Sequence, residues 1–428
     1  MRFFPSSYLG FVSLRKARQL SQESEGFLIW SLGTGALGLA WSVTTVAAYL
    51  PAILGRFTDS DTLIGFILGS EGIFALLLPL LIGPLSDATR TPLGRRRPYM
   101  AFALIPIGFT LALLAFMPNL WATAFIFFSF SLAYYVYEPP YRGLYPDLIQ
   151  PRSYGRAQGS QHVMRGVALA GALVSGGVLL GVWDPFPFVL AAIITFFSCG
   201  LVVLLIQEPD LPPVMKLNKR SYLAAPFRIM RENASVRWFL IANTAWEATF
   251  AGMRTFVVLY ITVGLGQPLW LSSVVLATVG GGYLISAIAS GRWGDQFGIG
   301  WVVAGSSVVY GIGLIGAVLA QSWHHWYFPL IFFVSIAGGT VMTLSWGLLF
   351  KVMPSGNEGS ISGLAIMTKG LGLLIGPPIV GVTIDVAGTF LESTDGYAAM
   401  WLIVGLPVLL VIPFVIKLAR FEGRTVPS

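Results

Sequence analysis

The stretch "GPLSDATRTPLGRRRPYM", Gly83 to Met100, decides how the chain is read. An apolar run of about 20 residues, the length that crosses a bilayer, lies on each side of it. Between the runs stand Asp87 and the consecutive Arg95, Arg96 and Arg97, charges that lipid does not accept cheaply. So short a polar segment between two such runs is a connection at a membrane surface. Gly83, four residues before Asp87, has no side chain and lets two helices approach closely at the membrane edge. Asp87 can then accept from an arginine or face a helix N-terminus.

Composition extends this reading to the whole chain. Of 428 residues, 55% are hydrophobic and 11% charged, where a soluble chain carries roughly a quarter charged. Mean hydropathy is +0.76. Apolar runs and their polar breaks predict twelve spans, at 27–54, 62–85, 98–117, 120–149, 157–182, 186–206, 237–264, 270–290, 299–320, 326–352, 361–388 and 397–417. With the N-terminus inside, 21 of the 26 Lys and Arg fall in cytoplasmic segments and only Arg56 outside. That asymmetry predicts a cell-membrane protein with both termini cytoplasmic. It also accounts for the net charge of +7 without nucleic acid. Residues 1–26 form a cytoplasmic leader and residues 418–428 a cytoplasmic tail. The single Cys199 has no disulfide partner, and neither metal-ligand spacing nor a phosphate loop is present. The chemistry of an enzyme, a cofactor or an ATP-driven pump is therefore not expected.

The longest polar segment, 207–236, divides the chain into six spans (27–206) and six more (237–417). "GPLSD" after span 2 has an echo in "GRWGD", Gly291 to Asp295, after span 8. Two related six-span halves are the organisation of a major-facilitator transporter.

The motif itself resembles the major-facilitator signature G-x-x-x-D followed by G-R-R. The spacing from Asp87 to Gly94 is similar to that of sucrose/proton symporters and related glycoside/cation symporters. In span 4, "PPYRGLYPDL" resembles the "GPCRALLADL" of plant sucrose carriers, which places Arg142 and Asp147 on the family's Arg and Asp. The chain departs from the pattern at Ala88, where relatives carry arginine; Arg90 is the candidate substitute. The resemblance implies an all-α membrane protein of major-facilitator fold, working as a monomer by alternating access. The activity implied is proton-coupled transport of a glucoside or disaccharide. It also implies a cytoplasmic gate of Gly83, Asp87, Gly94, Arg95, Arg96, Asp147 and Asp295.

Charges in the interior of the spans mark the centre independently of the motif. Away from the span ends they are Glu71 in span 2, Glu138 and Arg142 in span 4, Arg165 in span 5, Glu247 and Arg254 in span 7, and Lys369 in span 11. Spans 3, 6, 9 and 12 carry none, as suits lipid-facing supports. Each buried charge costs at least ~2.5–3.5 kcal/mol unless it pairs or meets water. Glu138, Arg142, Glu71 and Glu247 are the candidates for proton coupling or substrate binding, with Arg254 two turns from Glu247 and able to neutralise it. Arg165, Arg254 and Lys369 join Trp41, Tyr134, Tyr141, Trp246 and Trp346 as candidate cavity residues, an indole face being suited to stack on a sugar ring. Pro139 and Pro140 remove two amide donors, so span 4 is expected to bend or open beside Glu138, with a similar break in span 11 at Pro377 and Pro378. Two other readings stay open: an exporter of lipophilic compounds on the same fold, and a non-transporting assembly or delivery factor.

Overall fold

The computed structural model describes residues 7–149, 154–208, 230–353 and 358–425. Each expected span is a helix. In order they are Ser7–Leu54, Asp61–Gly69 with Glu71–Ala88, Arg97–Leu113, Leu120–Leu148, Tyr154–Val182 and Phe186–Leu205. The second six are Ala234–Leu259, Leu269–Phe297, Ile299–Gly316, Tyr327–Val352, Glu358–Gly388, and Met400–Leu410 with Ile412–Thr425. Among the described residues there are no strands, only an isolated bridge from Thr91 to Gly94 that closes the loop after span 2. Eleven helices are long and apolar enough to cross a membrane. The twelfth, span 7, has 26 residues, roughly 39 Å of helix. Its low hydropathy comes from Arg237, Glu247 and Arg254, and it packs centrally, against spans 1, 11 and 12. An even number of crossings puts both ends of the chain on one face, called here the termini face; the other is the far face.

Two local expectations are corrected. Span 4 does not open at Pro139 and Pro140: its helix runs unbroken from Leu120 to Leu148. Tertiary hydrogen bonds hold both sides of the proline pair. The Tyr137 hydroxyl donates to the Cys199 carbonyl at 2.9 Å, and that of Tyr141 to the Leu32 carbonyl at 2.6 Å. Span 11 is likewise continuous through Pro377 and Pro378. Span 2 is interrupted instead, tightening at Ser70, where the Ile73 amide donates to the Ser70 carbonyl at 3.0 Å, and span 12 is divided at Val411. "GPLSD" and its echo "GRWGD" both form the last part of a helix, the span 2 helix ending at Ala88 and the span 8 helix at Phe297, before Gly298 with φ +83°. The expected leader is helical from Ser7 and continuous with span 1, whereas most of the segment between the halves lies outside the described residues.

Large apolar side chains cover the outside of the supporting spans: Phe102, Ile105 and Phe109 on span 3, Phe197 and Leu204 on span 6, Ile312 on span 9 and Leu410 on span 12 are all exposed. Such a surface is stable only against lipid. The two halves meet from the far face down to mid-membrane. There Gly65, Gly69 and Gly72 of span 2 lie against Pro377, Pro378 and Leu374 of span 11, so tightly that a Cβ at any of them would collide. Spans 5 and 8 touch in the same layer, at Gly177 and Ser273. Toward the termini face, the Arg95–Arg96–Asp87–Asp147 network lies within the first half, and the Lys351–Glu422 pair lies within the second.

Candidate functional site: a charged centre and its two corners

The seven in-span charges converge on the middle of the bundle. In span 4, Arg142 donates through Nε and Nη2 to Glu138 Oε1 at 2.9 and 2.6 Å. Four residues apart with the acid first, this is the favoured order for an ion pair along one helix. Glu138 is buried, whereas 44% of the Arg142 side chain is exposed at membrane depth. A guanidinium half open at that depth faces a watery cavity and not lipid. Lys369 and Arg165 also act electrostatically on Glu138, which brings a cation of span 11 and one of span 5 to the same place.

The second pair crosses between halves. Glu71 Oε2 of span 2 lies 3.7 Å from Arg254 Nη2 of span 7, and Glu71 Oε1 accepts from the Tyr135 hydroxyl at 2.9 Å. Arg254 therefore takes Glu71 as its ion-pair partner and not Glu247, which feels Lys369 and Arg254 only at longer range. Among the described residues neither Arg165 nor Lys369 closes a hydrogen bond or an ion pair. Three acids face four bases, so the centre carries one positive charge in excess.

The expected aromatic lining divides. Trp41 is half-buried, its indole lying on Gly171 of span 5, where any Cβ would strike the ring. Tyr134 is buried but sits within electrostatic reach of Glu138, Arg142, Arg165 and Glu71. Trp346 is exposed beside Phe350. Tyr141 and Trp246 are corrected: each is 1% exposed, so Tyr141 ties span 4 to span 1 and Trp246 packs in the core of the second half.

At the termini face of the first half, the signature residues form a closed network. Arg96 Nη2 lies 2.8 Å from Asp87 Oδ1, and its Nε 2.6 Å from Asp147 Oδ2, which Arg95 Nη2 reaches at 2.7 Å. The Arg96 guanidinium occupies the space beside Gly143 of span 4 that a Cβ would need. Gly94 adopts φ +106°, the left-handed region that favours glycine. Gly83 departs from expectation: nothing lies within 4 Å of where its Cβ would be, so it mediates no close approach here. Arg90 is exposed and pairs with nothing among the described residues; Arg96 holds Asp87 instead.

One device was not visible in the sequence motifs. Glu208, just past the end of span 6, accepts from the backbone amides of Arg95, Arg96 and Arg97 at 2.7–3.1 Å. It thus caps the N-terminus of span 3. The second half repeats the device: Glu422, at the end of span 12, accepts from the amides of Ile299 and Gly300 at 3.2 and 2.7 Å at the start of span 9. Lys351, at the end of span 10, donates to Glu422 at 2.8 Å. Asp295, the expected counterpart of Asp87, is exposed and has no partner among the described residues. The signal available in the sequence was the position of each glutamate, within five residues of the expected end of the last span of its half.

Twelve helices in two halves around a charged, water-facing centre define a membrane transporter architecture. The chain belongs to the Major Facilitator Superfamily, whose family model matches residues 30–377. No curated protein matches the sequence. Among solved structures, the fold is similar to that of a mutant of the nucleoside transporter NupG, with a TM-score of 0.74 at 16% identity over 92% of this chain and 99% of that one. A bacterial homologue of the human lysosomal transporter Spinster, in an inward-facing and unoccupied conformation, gives a TM-score of 0.75 at 13% identity, covering 94% and 98%. A structure described as informing substrate recognition in proton-dependent oligopeptide transporters gives 0.71 at 11% identity, covering 94% and 100%.

Proposed function

We propose that this protein is a proton-coupled symporter of a small polar substrate, a glucoside or disaccharide, in the cell (inner) membrane. The termini face is the cytoplasmic one, by the distribution of Lys and Arg. The conformation described is then the inward-open one, sealed at the far face, and transport proceeds by rocking the two halves about the charged centre. A monomer suffices, since both halves belong to one chain.

The observation that carries the reading is the Glu138–Arg142 pair. Glu138 is buried and its partner half open to the cavity, so protonation of Glu138 removes the charge that holds Arg142 and frees the guanidinium for cargo. Substrate oxygens accept from Arg142 and from Arg165 and Lys369, two cations that close no bond of their own among the described residues. Trp41 offers its indole face to an apolar ring surface. Paired charges at mid-membrane suit a transport site better than a scaffold, for which they would be cost without return. Among the similar structures, cargo ranges from nucleosides to oligopeptides, so the sugar reading rests on the span 4 motif and the signature spacing.

Labelled sucrose and maltose uptake into proteoliposomes, with and without an imposed pH gradient, tests the reading. Gradient-driven accumulation by the parent protein is expected, falling at least tenfold in Glu138→Gln while gradient-free exchange of labelled for unlabelled sugar persists. Accumulation that ignores the gradient, or that survives Glu138→Gln undiminished, defeats the coupling role.

A further inference from the structure

We infer that Asp385, at the far end of span 11, is the latch that holds the far face shut, by capping the N-terminus of span 2 across the boundary between the halves. Its carboxylate accepts from the Ser60 hydroxyl at 2.9 Å, the Asp61 amide at 2.8 Å and the Thr62 amide at 2.9 Å. A helix N-terminus leaves its first amides without partners inside the helix, and ordinarily a side chain of the same segment serves them. Here Ser60 serves one, the Leu63 amide at 3.3 Å, and the opposite half supplies the acceptor for two others. The capping of span 2 is therefore complete only while the far face is closed. A carboxylate facing a helix N-terminus also gains from the helix dipole, and charge-assisted bonds of this type are the stronger ones.

Two further contacts fix the same spot. The Tyr397 hydroxyl, from the second half, donates to Asp61 Oδ1 at 2.9 Å. Gly381, one turn before Asp385, leaves the space that the Asp61 carbonyl fills, and a Cβ there would collide. Beside the latch lies a cavity of about 530 Å³, lined among others by Arg56, Asp59, Asp61, Asp385 and Tyr397, so water stands next to the bonds that must break on opening. All three bonds of Asp385 cross between the halves and must break when the far face opens, which places them among the elements that set the conformational equilibrium. Its meaning for transport rests on the alternating-access reading above; its existence is testable without any cargo.

The test uses the purified full chain with Cys199→Ser and a single new cysteine, Ile64→Cys in one half or Ile384→Cys in the other. Both positions are buried, at 2% and 1% exposure, and the readout is the rate of maleimide labelling. Asp385→Ala is expected to raise the rate about tenfold at both positions, in line with the loss of a helix cap. Asp385→Asn, which keeps an acceptor but turns an amide toward a donor, gives a smaller rise, as does Tyr397→Phe, roughly threefold each. Asp395→Asn removes a nearby exposed charge without touching the cap and leaves the rate within twofold. Labelling of Asp385→Ala within twofold of the parent, or an equal rise in Asp395→Asn, overturns the latch; should Asp385→Ala not fold, the same twofold criterion applies to Asp385→Asn. A parent protein that shows no gradient-driven uptake would sink the symport reading and leave the latch standing.

Discussion

The two corners at the termini face share one construction and differ in charge. In each half a glutamate just beyond or at the end of the sixth span caps the N-terminus of the third, Glu208 on Arg95 to Arg97 and Glu422 on Ile299 and Gly300. In the first half, the loop adds Arg95 and Arg96, bound to Asp87 and Asp147; in the second, Lys351 binds the capping glutamate itself. The cap is thus the common structural element, required wherever a helix starts at that corner. The arginine–aspartate network is an addition peculiar to the first half, and it ties the ends of spans 2 and 4 together.

The largest expected effect comes from Gly143→Ala, because its new methyl group must displace the Arg96 guanidinium from both aspartates. A cost of about 3 kcal/mol is expected, as for breaking a largely buried ion pair. It would be seen as a clear drop in the thermal midpoint in micelles, and a midpoint indistinguishable from the parent's would mean that the network is not what holds this corner. Next come the caps. Glu208→Ala should cost about 2 kcal/mol and Glu422→Ala about 1, since the first serves more amides and the second leaves a lysine able to reach water. Denaturation of both variants under one condition checks the order, and a silent Glu422→Ala alongside a damaging Glu208→Ala would break the equivalence of the corners.

Lys351→Met leaves the second cap in place and should cost about 0.5 kcal/mol, because Lys351 is more than a third exposed and the amides of Ile299 and Gly300 still hold the buried Glu422 carboxylate. The smallest effect lies on the far face, where Arg56 Nη2 donates to Asp184 Oδ1 at 2.8 Å and holds the carboxyl below the usual carboxylate range. Because the folded value is lowered, the pair stabilises above the ordinary carboxylate range and loses its contribution as pH falls through it. Both side chains are about half exposed, so Asp184→Asn should cost only a few tenths of a kcal/mol at neutral pH. No difference from the parent should remain in acid, once the carboxyl is protonated, and a pH-independent difference would assign the effect to something other than this pair.

Much of the centre was legible in the linear sequence. A charge inside an apolar run stands out because lipid penalises it, and the seven residues found that way gather in one place. Which of them pair was not legible. Spacing along span 7 suggested Glu247 for Arg254, but the nearer carboxylate, Glu71, belongs to the other half. Proline content suggested a broken span 4, yet hydrogen bonds from tyrosines on either side keep it helical. Glu208, Glu422 and Asp385 had no part in the sequence reading, since a cap is defined by the amides it meets and those lie over a hundred residues away in the chain.

Hydropathy by itself marked the apolar runs that form the long helices, because transfer of apolar side chains from water to lipid is a local property of each run. Pairing and capping were decided only by the tertiary structure. Electrostatic partners and orphaned helix amides are satisfied by whatever group folding brings within about 3 Å, and adjacency of that kind has no trace in local sequence. The stretch from Gly83 to Met100 shows both. Its position between two spans followed from composition, whereas Gly83 proved to face open space and Arg96 to hold Asp87, facts that depend on how spans 2, 3, 4 and 6 meet.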